Sequence, residues 1–171
     1  MSRKSITLIG AGLNGPLLGL GLIKRGFRVQ ILEKRPDMRR TRLRAGRSIN
    51  LALSTRGIHA LTQAGLWNTM QNIIIPMKGR MMHSMASELT FQPYGKDESE
   101  VINSISRAEL NIALMHAAEE RGVKISFQQR CTGMNFKTGS MEVRDERSGV
   151  VRTLEADMVI GCDGSASAIR N

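Results

Sequence analysis

The fold is decided by residues 5–33, which read SITLIGAGLNGPLLGLGLIKRGFRVQILE. Residues 5–9 are rich in β-formers and end at a glycine, which predicts a strand. Residues 13–25 carry apolar side chains at helical spacing, and Gly26 suits the position just after a helix end. Alternation over residues 27–33 predicts a second strand. Together these elements form a β-α-β unit of about thirty residues, the size of a parallel crossover.

The turn between the first strand and the helix has the pattern G-x-G-x-x-G, with Gly10, Gly12 and Gly15 at the fixed positions. Such glycines permit a tight turn, close approach of the backbone to a diphosphate, and close packing of helix on strand. Glu33 follows Gly15 by eighteen residues, at the end of the second strand. An acidic side chain at that place accepts hydrogen bonds from ribose hydroxyls. We therefore predict a dinucleotide-binding unit.

The glycine pattern leaves the identity of the dinucleotide open. Glu33 disfavours a 2′-phosphate, so NADP is not the natural occupant of this site, although Lys34 and Arg35 soften that repulsion. The pattern does not separate NAD from FAD.

Composition and charge weigh against nucleic acid as a partner. The chain has 171 residues, of which 41% are hydrophobic, and this fits one globular domain. Within residues 34–47, seven Lys and Arg residues stand against one acidic residue, Asp37, so this segment carries most of the net charge of +10. A basic run without interleaved aromatic residues is typical of a solvated loop.

Cysteine and histidine spacing predicts no metal site. Cys131 and Cys162 are thirty-one residues apart, and the three histidines show no ligand pattern. Two separate thiols fit a reducing compartment, so we predict a cytoplasmic location. Because no stretch approaches the roughly 18 apolar residues of a membrane span, we predict no membrane segment in this sequence.

The rest of the chain predicts further elements around an irregular segment. Residues 49–53 read as a short strand, after which Ser54 caps a helix. Ser106 and Glu109 form a capping box at the start of a later helix. We predict a nucleotide-binding part over residues 1–72, an excursion into a β-rich substrate region over 73–101, and a continuation of the first part over 102–171.

The last residues read GCDGSASAIRN from Gly161 and predict a strand end, a glycine turn and the start of a helix. We expect the chain to be part of a longer protein. This motif, with Asp163, Gly164 and Ser167, resembles the Asp-Gly motif of flavoprotein aromatic hydroxylases, which in that family touches FAD and borders the pyridine-nucleotide path. Arg107, in SISR, matches a family arginine that contacts FAD. The resemblance implies FAD at the glycine turn.

Five motifs extend the resemblance over residues 6–170. They read GRSINLALSTRG, PMKGRMMHS, QPYG, SISRAELN and GCDG. In this order and spacing they resemble the kynurenine 3-monooxygenase family of aromatic hydroxylases. The resemblance implies an α/β fold: a Rossmann-like FAD-binding domain with a parallel sheet, helices and a β-meander, together with the beginning of a β-rich substrate-binding region. It also implies that the chain is truncated relative to the family.

The resemblance implies site residues position by position. The implied FAD contacts lie in the glycine turn, at the end of the second strand, in the NLALS segment, in SISR, and near the C-terminal motif: Gly10, Gly12, Asn14, Gly15, Leu32, Glu33, Lys34, Arg35, Ala52, Arg107, Cys131 (through its backbone), Asp163, Gly164 and Ser167. Arg80 and Tyr94 match the pair that holds the amino-acid carboxylate of the substrate. An arginine fork suits a carboxylate, and tyrosine adds a neutral donor.

The implied reaction is the FAD-dependent hydroxylation of L-kynurenine to 3-hydroxykynurenine in tryptophan catabolism, with NADPH and O₂ as co-substrates. Flavin carries the chemistry, so we expect no catalytic side chains. Eukaryotic relatives are anchored at the mitochondrial outer membrane through a C-terminal region that this sequence does not contain. Two alternatives stay open: a flavin hydroxylase acting on a phenolic acid, and a nucleotide-binding module without turnover. From the chain alone we expect weak or no FAD retention and no hydroxylation.

Overall fold

The structure is a computed structural model that describes residues 4–40 and 49–170. The chain divides into two compact units. The first unit comprises Met1–Ala45 and Asn111–Asn171, and the second comprises Gly46–Leu110. Part of the basic run and the first residues of the GRSINLALSTRG motif lie outside the described residues: Arg42, Arg44, Gly46, Arg47 and Ser48.

The described residues form twelve strands and four helices. The strands are β1 (Ser5–Ile9), β2 (Arg28–Glu33), β3 (Asn50–Leu53), β4 (Ile74–Met77), β5 (Gly79–His83), β6 (Leu89–Pro93), β7 (Ile102–Ser106), β8 (Lys124–Phe127), β9 (Gln129–Asn135), β10 (Ser140–Asp145), β11 (Val151–Glu155) and β12 (Met158–Gly161). The helices are α1 (Asn14–Lys24), α2 (Thr55–Gln63), α3 (Trp67–Met70) and α4 (Arg107–Glu120), and Gln71–Ile73 forms a 3₁₀ turn.

The first unit is built on a parallel sheet in the order β12-β1-β2-β8. The central strand β1 is buried over Ile6, Leu8 and Ile9, because a parallel sheet is covered on both faces and favours continuous apolar runs. The buried hydroxyl of Thr7 is not left unpaired, since Gln30 Nε2 on β2 donates to Thr7 Oγ1 at 2.8 Å. The crossover from β1 to β2 through α1 brings the glycine turn to the carboxyl end of the sheet.

An antiparallel meander of β9, β10 and β11 completes the first unit. One buried cluster joins the meander to the parallel sheet: Ile9, Leu32, Cys131, Met141 and Val143. Its members alternate along β9 and β10, so the opposite faces of these strands carry exposed residues such as Thr132 and Glu142.

The second unit contains the antiparallel sheet β3-β7-β4 and the separate hairpin β5-β6. The predicted cap of α2 is present, because Ser54 Oγ accepts a hydrogen bond from Gly57 N at 3.3 Å. The serine half of the predicted capping box is also present, with 3.4 Å between Ser106 Oγ and Glu109 N.

The predicted fold class is confirmed: the β-α-β unit, the parallel sheet with helices and the β-meander are all found. The predicted division at residues 72 and 101 stays a prediction. The predicted helix start after the Asp-Gly motif stays a prediction, since residues 165–166 and 168–170 form turns up to the last described residue. Asp163 Oδ2 accepts a hydrogen bond from Ala168 N at 2.8 Å within this segment. Over residues 4–40 and 49–170, no helix is both long enough and apolar enough to cross a bilayer.

Candidate functional site

The glycine turn after β1 is held by close backbone packing at its first and last glycines. Gly10 has a φ of +105°, and a Cβ placed there would lie 2.8 Å from the Cys162 carbonyl oxygen. A Cβ on Gly15 would lie 2.0 Å from the Gly10 oxygen. Both positions therefore require glycine for reasons internal to the fold.

Gly12 differs from its two neighbours in the motif. A Cβ placed on Gly12 would meet no atom of the described residues within 4 Å, and its φ lies outside the left-handed region. No side chain caps α1 at Leu13, and the first turn of α1 carries no acidic residue. The free N–H groups and positive dipole end of this helix therefore face open space beside Gly12, which suits a phosphate group. Asn14, the first residue of α1, is exposed at the same place.

Glu33 lies at the end of β2 and is only 4% exposed. Its Oε2 accepts a hydrogen bond from Ala11 N at 2.8 Å, and its Oε1 accepts from Arg35 N at 2.9 Å and Arg35 Nε at 2.8 Å. Burial by itself raises the pKa of Glu33, but the hydrogen bonds from Arg35 and Ala11 outweigh burial and hold that pKa below its ordinary value. Glu33 is thus an anionic acceptor beside the glycine turn. Its neighbour Leu32 is buried, and Lys34 is exposed.

The side chain of Arg35 is 57% exposed and covers the Glu33 carboxylate. A carboxylate offers about four acceptor positions, and the bonds from Ala11 and Arg35 use them. A hydroxyl ligand at Glu33 would have to replace the exposed Arg35 guanidinium, because the Ala11 hydrogen bond is buried.

The Asp-Gly motif lies directly against the glycine turn. Cys162 N donates to Ile9 O at 2.7 Å, which extends the pairing of β12 with β1 beyond the strand end. Within residues 4–40 and 49–170, Asp163 Oδ1 is buried and has no hydrogen-bond partner. Gly164 has a φ of +86°, and Ser167 is 7% exposed. The structure therefore brings this predicted motif together with the glycine turn and Glu33.

Cys131 belongs to the core rather than to an open surface. Its side chain is 4% exposed within the cluster that includes Ile9 and Leu32. Burial raises the pKa of the Cys131 thiol, so the group is protonated at neutral pH. Only its backbone remains for the contact that the family resemblance implies.

Two implied FAD contacts lie in the second unit. Ala52 pairs with Ser104 across β3 and β7, and Arg107 N donates to Ile49 O at 3.2 Å. This pairing brings the first turn of α4 to the beginning of β3, and both Ala52 and Arg107 are exposed.

Arg80 and Tyr94 lie on one hairpin of the second unit. Arg80 pairs with Gln92 across β5 and β6, and Tyr94 N donates to Lys78 O at 2.9 Å. Because side chains alternate along a strand, Arg80, Gln92 and Tyr94 share a face of the hairpin. Arg80 Nε donates to Gln92 Oε1 at 2.8 Å, which leaves its two terminal nitrogens for a ligand. The predicted pair is therefore brought together.

Asn111 is the last residue of the SISRAELN motif, and the sequence alone assigned it no role. It lies on α4 and is 6% exposed, and its Nδ2 donates to the Ala11 carbonyl at 3.2 Å. The available signal was a polar residue next to the apolar stripe of this helix. The residue that it contacts is one hundred positions away in sequence, so no local pattern could identify it.

An open depression with a volume of about 640 Å³ lies elsewhere on the first unit. Arg39 contributes to its wall and is paired there with Asp37 and Glu119. None of the predicted site residues lines it. Among the described residues, no group of three or more His, Cys, Asp or Glu side chains could hold a metal ion.

Comparison with protein families finds a match to the family described as "FAD binding domain" over residues 3–171. Among curated proteins, the chain is 52% identical over 169 residues to a kynurenine 3-monooxygenase of Myxococcus xanthus, covering 98% of this chain and 36% of that protein. It is 43% identical over 170 residues to a kynurenine 3-monooxygenase of Xanthomonas axonopodis pv. citri, covering 99% and 37%. The chain thus spans little more than a third of the length of these relatives.

Solved structures with the same fold include two oxygenases. For 2-methyl-3-hydroxypyridine-5-carboxylic acid oxygenase the TM-score is 0.74 at 22% identity, over 99% of this chain and 42% of that one. For the flavin-dependent monooxygenase PieE, solved with FAD and substrate, the TM-score is 0.79 at 18% identity, over 98% and 31%. At these identities the likeness concerns the fold alone.

Proposed function

The chain belongs to the FAD-binding domain family, and from this membership we propose that it supplies the FAD-binding part of a monooxygenase that hydroxylates L-kynurenine. One observation carries the cofactor half of the proposal: Gly12 borders open space at the uncapped start of α1, whereas Gly10 and Gly15 are closed in by backbone. That is the arrangement that a diphosphate needs.

The residues of the first unit fit FAD in chemical type. The N–H groups from Gly12 to Asn14 are donors for the diphosphate, and Glu33 is the acceptor for the ribose of the ADP half. Arg35 and Lys34 are the cations closest in sequence to that acceptor. Asp163, Gly164 and Ser167 border the same turn, and the unpartnered Asp163 Oδ1 is a further acceptor there.

The substrate half of the proposal rests on the similarity to the curated relatives and on the shared face of Arg80 and Tyr94. Arg80 binds the substrate carboxylate through its terminal nitrogens, and the Tyr94 hydroxyl donates a second hydrogen bond. Both residues orient the substrate. Bound FAD supplies the oxygen-activating chemistry, with NADPH as reductant and O₂ as oxidant. The reaction would belong to tryptophan catabolism.

A second candidate is a flavin hydroxylase that acts on another aromatic acid. The exposed position of Arg80 on its hairpin favours it, because an arginine there suits any carboxylate. It does not account for 52% identity to a kynurenine 3-monooxygenase.

The proposal is tested in two stages. The chain is first titrated with FAD, and binding is measured by the quenching of flavin fluorescence. Residues 3–171 then replace the matching segment of the Myxococcus xanthus relative, and NADPH oxidation by this chimera is measured with L-kynurenine and with hydroxybenzoates. We expect saturable FAD binding and stimulation by kynurenine alone. Stimulation by hydroxybenzoates alone would favour the second candidate. FAD binding without stimulation by either acid would leave only a nucleotide-binding module.

A further inference from the structure

The two peptide groups at the start of the glycine turn are anchored by different side chains. The Ala11 N–H donates to Glu33 Oε2 at 2.8 Å, and this N–H belongs to the peptide between Gly10 and Ala11. The Ala11 carbonyl accepts from Asn111 Nδ2 at 3.2 Å, and this carbonyl belongs to the next peptide, between Ala11 and Gly12. Each peptide group thus has its own buried partner.

We propose that Asn111 is a positioning residue for FAD: by holding the Ala11 carbonyl inward, it points the Gly12 N–H outward at the cofactor diphosphate. The proposal rests on the FAD site proposed above and adds to it a residue outside all the recognised motif contacts. The reason is the planarity of the peptide group. In a trans peptide the carbonyl and the following N–H point in opposite directions, so fixing one fixes the other.

A glycine turn needs such an anchor. The peptide between Ala11 and Gly12 is free to flip at low cost on its Gly12 side, because glycine tolerates both signs of φ. A flip would place a carbonyl oxygen where the diphosphate needs a donor. Glu33 does not prevent this flip, since it bonds the preceding peptide group. Asn111 is the side chain that opposes it.

The contacts of Asn111 bear on whether it orients the Gly12 N–H or only stabilises the fold. Its second Nδ2 contact is Met38 Sδ at 3.3 Å, and its Oδ1 is buried without a hydrogen-bond partner among the described residues. An unpartnered buried oxygen costs folding free energy. Replacing the amide by an apolar side chain of similar size removes that cost but leaves the Ala11 carbonyl without its donor, so the two effects on stability oppose each other.

The test compares Asn111→Leu with Met115→Leu in the chain as it stands. Met115 lies one turn further along α4, is buried, and serves as a matched control for repacking. The probes are FAD, ADP and adenosine, and the thermal midpoint of the ligand-free protein is measured alongside. We expect Asn111→Leu to weaken FAD and ADP binding about tenfold, the worth of one hydrogen bond to a charged group, and to leave adenosine binding unchanged. Met115→Leu should change none of the three affinities.

A measurement on the ligand-free protein tests the role of Asn111 separately from the proposed FAD site. The ¹⁵N–¹H signal of Gly12 should move in Asn111→Leu and in the isosteric Asn111→Asp, because the peptide changes orientation before any ligand is added. An unchanged Gly12 signal, or equal losses of ADP and adenosine affinity, would overturn the role of Asn111. A moved signal with no binding of FAD or ADP by the unsubstituted chain would overturn the FAD site instead.

Discussion

The buried carboxylate of Glu33 accepts a hydrogen bond from the backbone N–H of Ala11, with 2.8 Å between the nitrogen and Oε2. The bond links the end of β2 to the start of the glycine turn, so the acceptor for a ribose and the donors for a diphosphate share one geometry. Arg35 donates to the same carboxylate and compensates its buried negative charge. This pairing keeps Glu33 ionised in a place where an unpaired charge would be costly to bury.

Replacing Glu33 by Gln should weaken FAD binding by about tenfold, because an amide offers one oxygen where the carboxylate offers two. We expect a stability loss of about 1–2 kcal/mol, since the partner Arg35 is well exposed and solvent screens the pair. FAD titration and urea unfolding measure the two effects. Glu146→Gln, which removes an ion-paired glutamate in the loop after β10, is the control and should leave FAD affinity unchanged.

The pH dependence of stability should change in the same variant. Burial raises the pKa of Glu33, but hydrogen bonds from Arg35 and Ala11 bring it below 4.5, the ordinary value. The unfolded chain therefore binds a proton more readily than the folded chain just below pH 4.5. The contribution of Glu33 is complete above that pH and is lost as pH falls through the lower, folded pKa. The difference in unfolding free energy between the protein and Glu33→Gln should shrink across this window, and a constant difference would contradict the assignment.

Gly12 and Gly10 should respond oppositely to alanine. Gly12→Ala meets no atom within 4 Å, so the ligand-free stability should stay the same or rise by about 0.4–1 kcal/mol, while FAD affinity falls. Gly10→Ala forces a Cβ to 2.8 Å from the Cys162 carbonyl at a φ of +105° and should destabilise the fold itself. Thermal unfolding with and without FAD measures both variants. Unchanged FAD binding by Gly12→Ala would mean that the diphosphate lies elsewhere.

The parts of this site that depend on local spacing could be predicted from the sequence. The glycines and Glu33 lie within one β-α-β unit, where connection length and strand alternation determine their relative positions. The position of Asp163 beside the glycine turn was expected from the family resemblance. The strand pairing behind it, Ile9 with Gly161, connects residues far apart in sequence that no periodicity links.

The contact of Asn111 with Ala11 could not be predicted for the same reason. A single polar residue on a helix reads as solvent-facing unless the packing of that helix is known. The hydrogen bond from Ala168 N to the Asp163 carboxylate also could not be predicted, because it depends on the local path of the chain after Gly164 and not on residue spacing.

Arg80→Ala should raise the KM for kynurenine about 10- to 100-fold in the chimera with the Myxococcus xanthus relative, with little change in kcat. A charge-assisted hydrogen bond to the carboxylate contributes about 1.5–3 kcal/mol, and it is present in both the bound substrate and the transition state. Kynuramine, which lacks the carboxylate, serves as the matched substrate and should be insensitive to the substitution. Arg56→Ala, at an exposed arginine of α2, serves as the matched protein control.

The pattern of losses identifies what Arg80 binds. If kynurenine and kynuramine suffer equally, Arg80 supports the hairpin, where its Nε already holds Gln92, and does not meet the carboxylate. If kcat falls with KM unchanged, the guanidinium acts on the reacting ring. Only a selective rise in the KM for kynurenine, with FAD affinity preserved, agrees with a substrate-orienting arginine beside Tyr94, because such a residue contacts neither the cofactor nor the atoms that react.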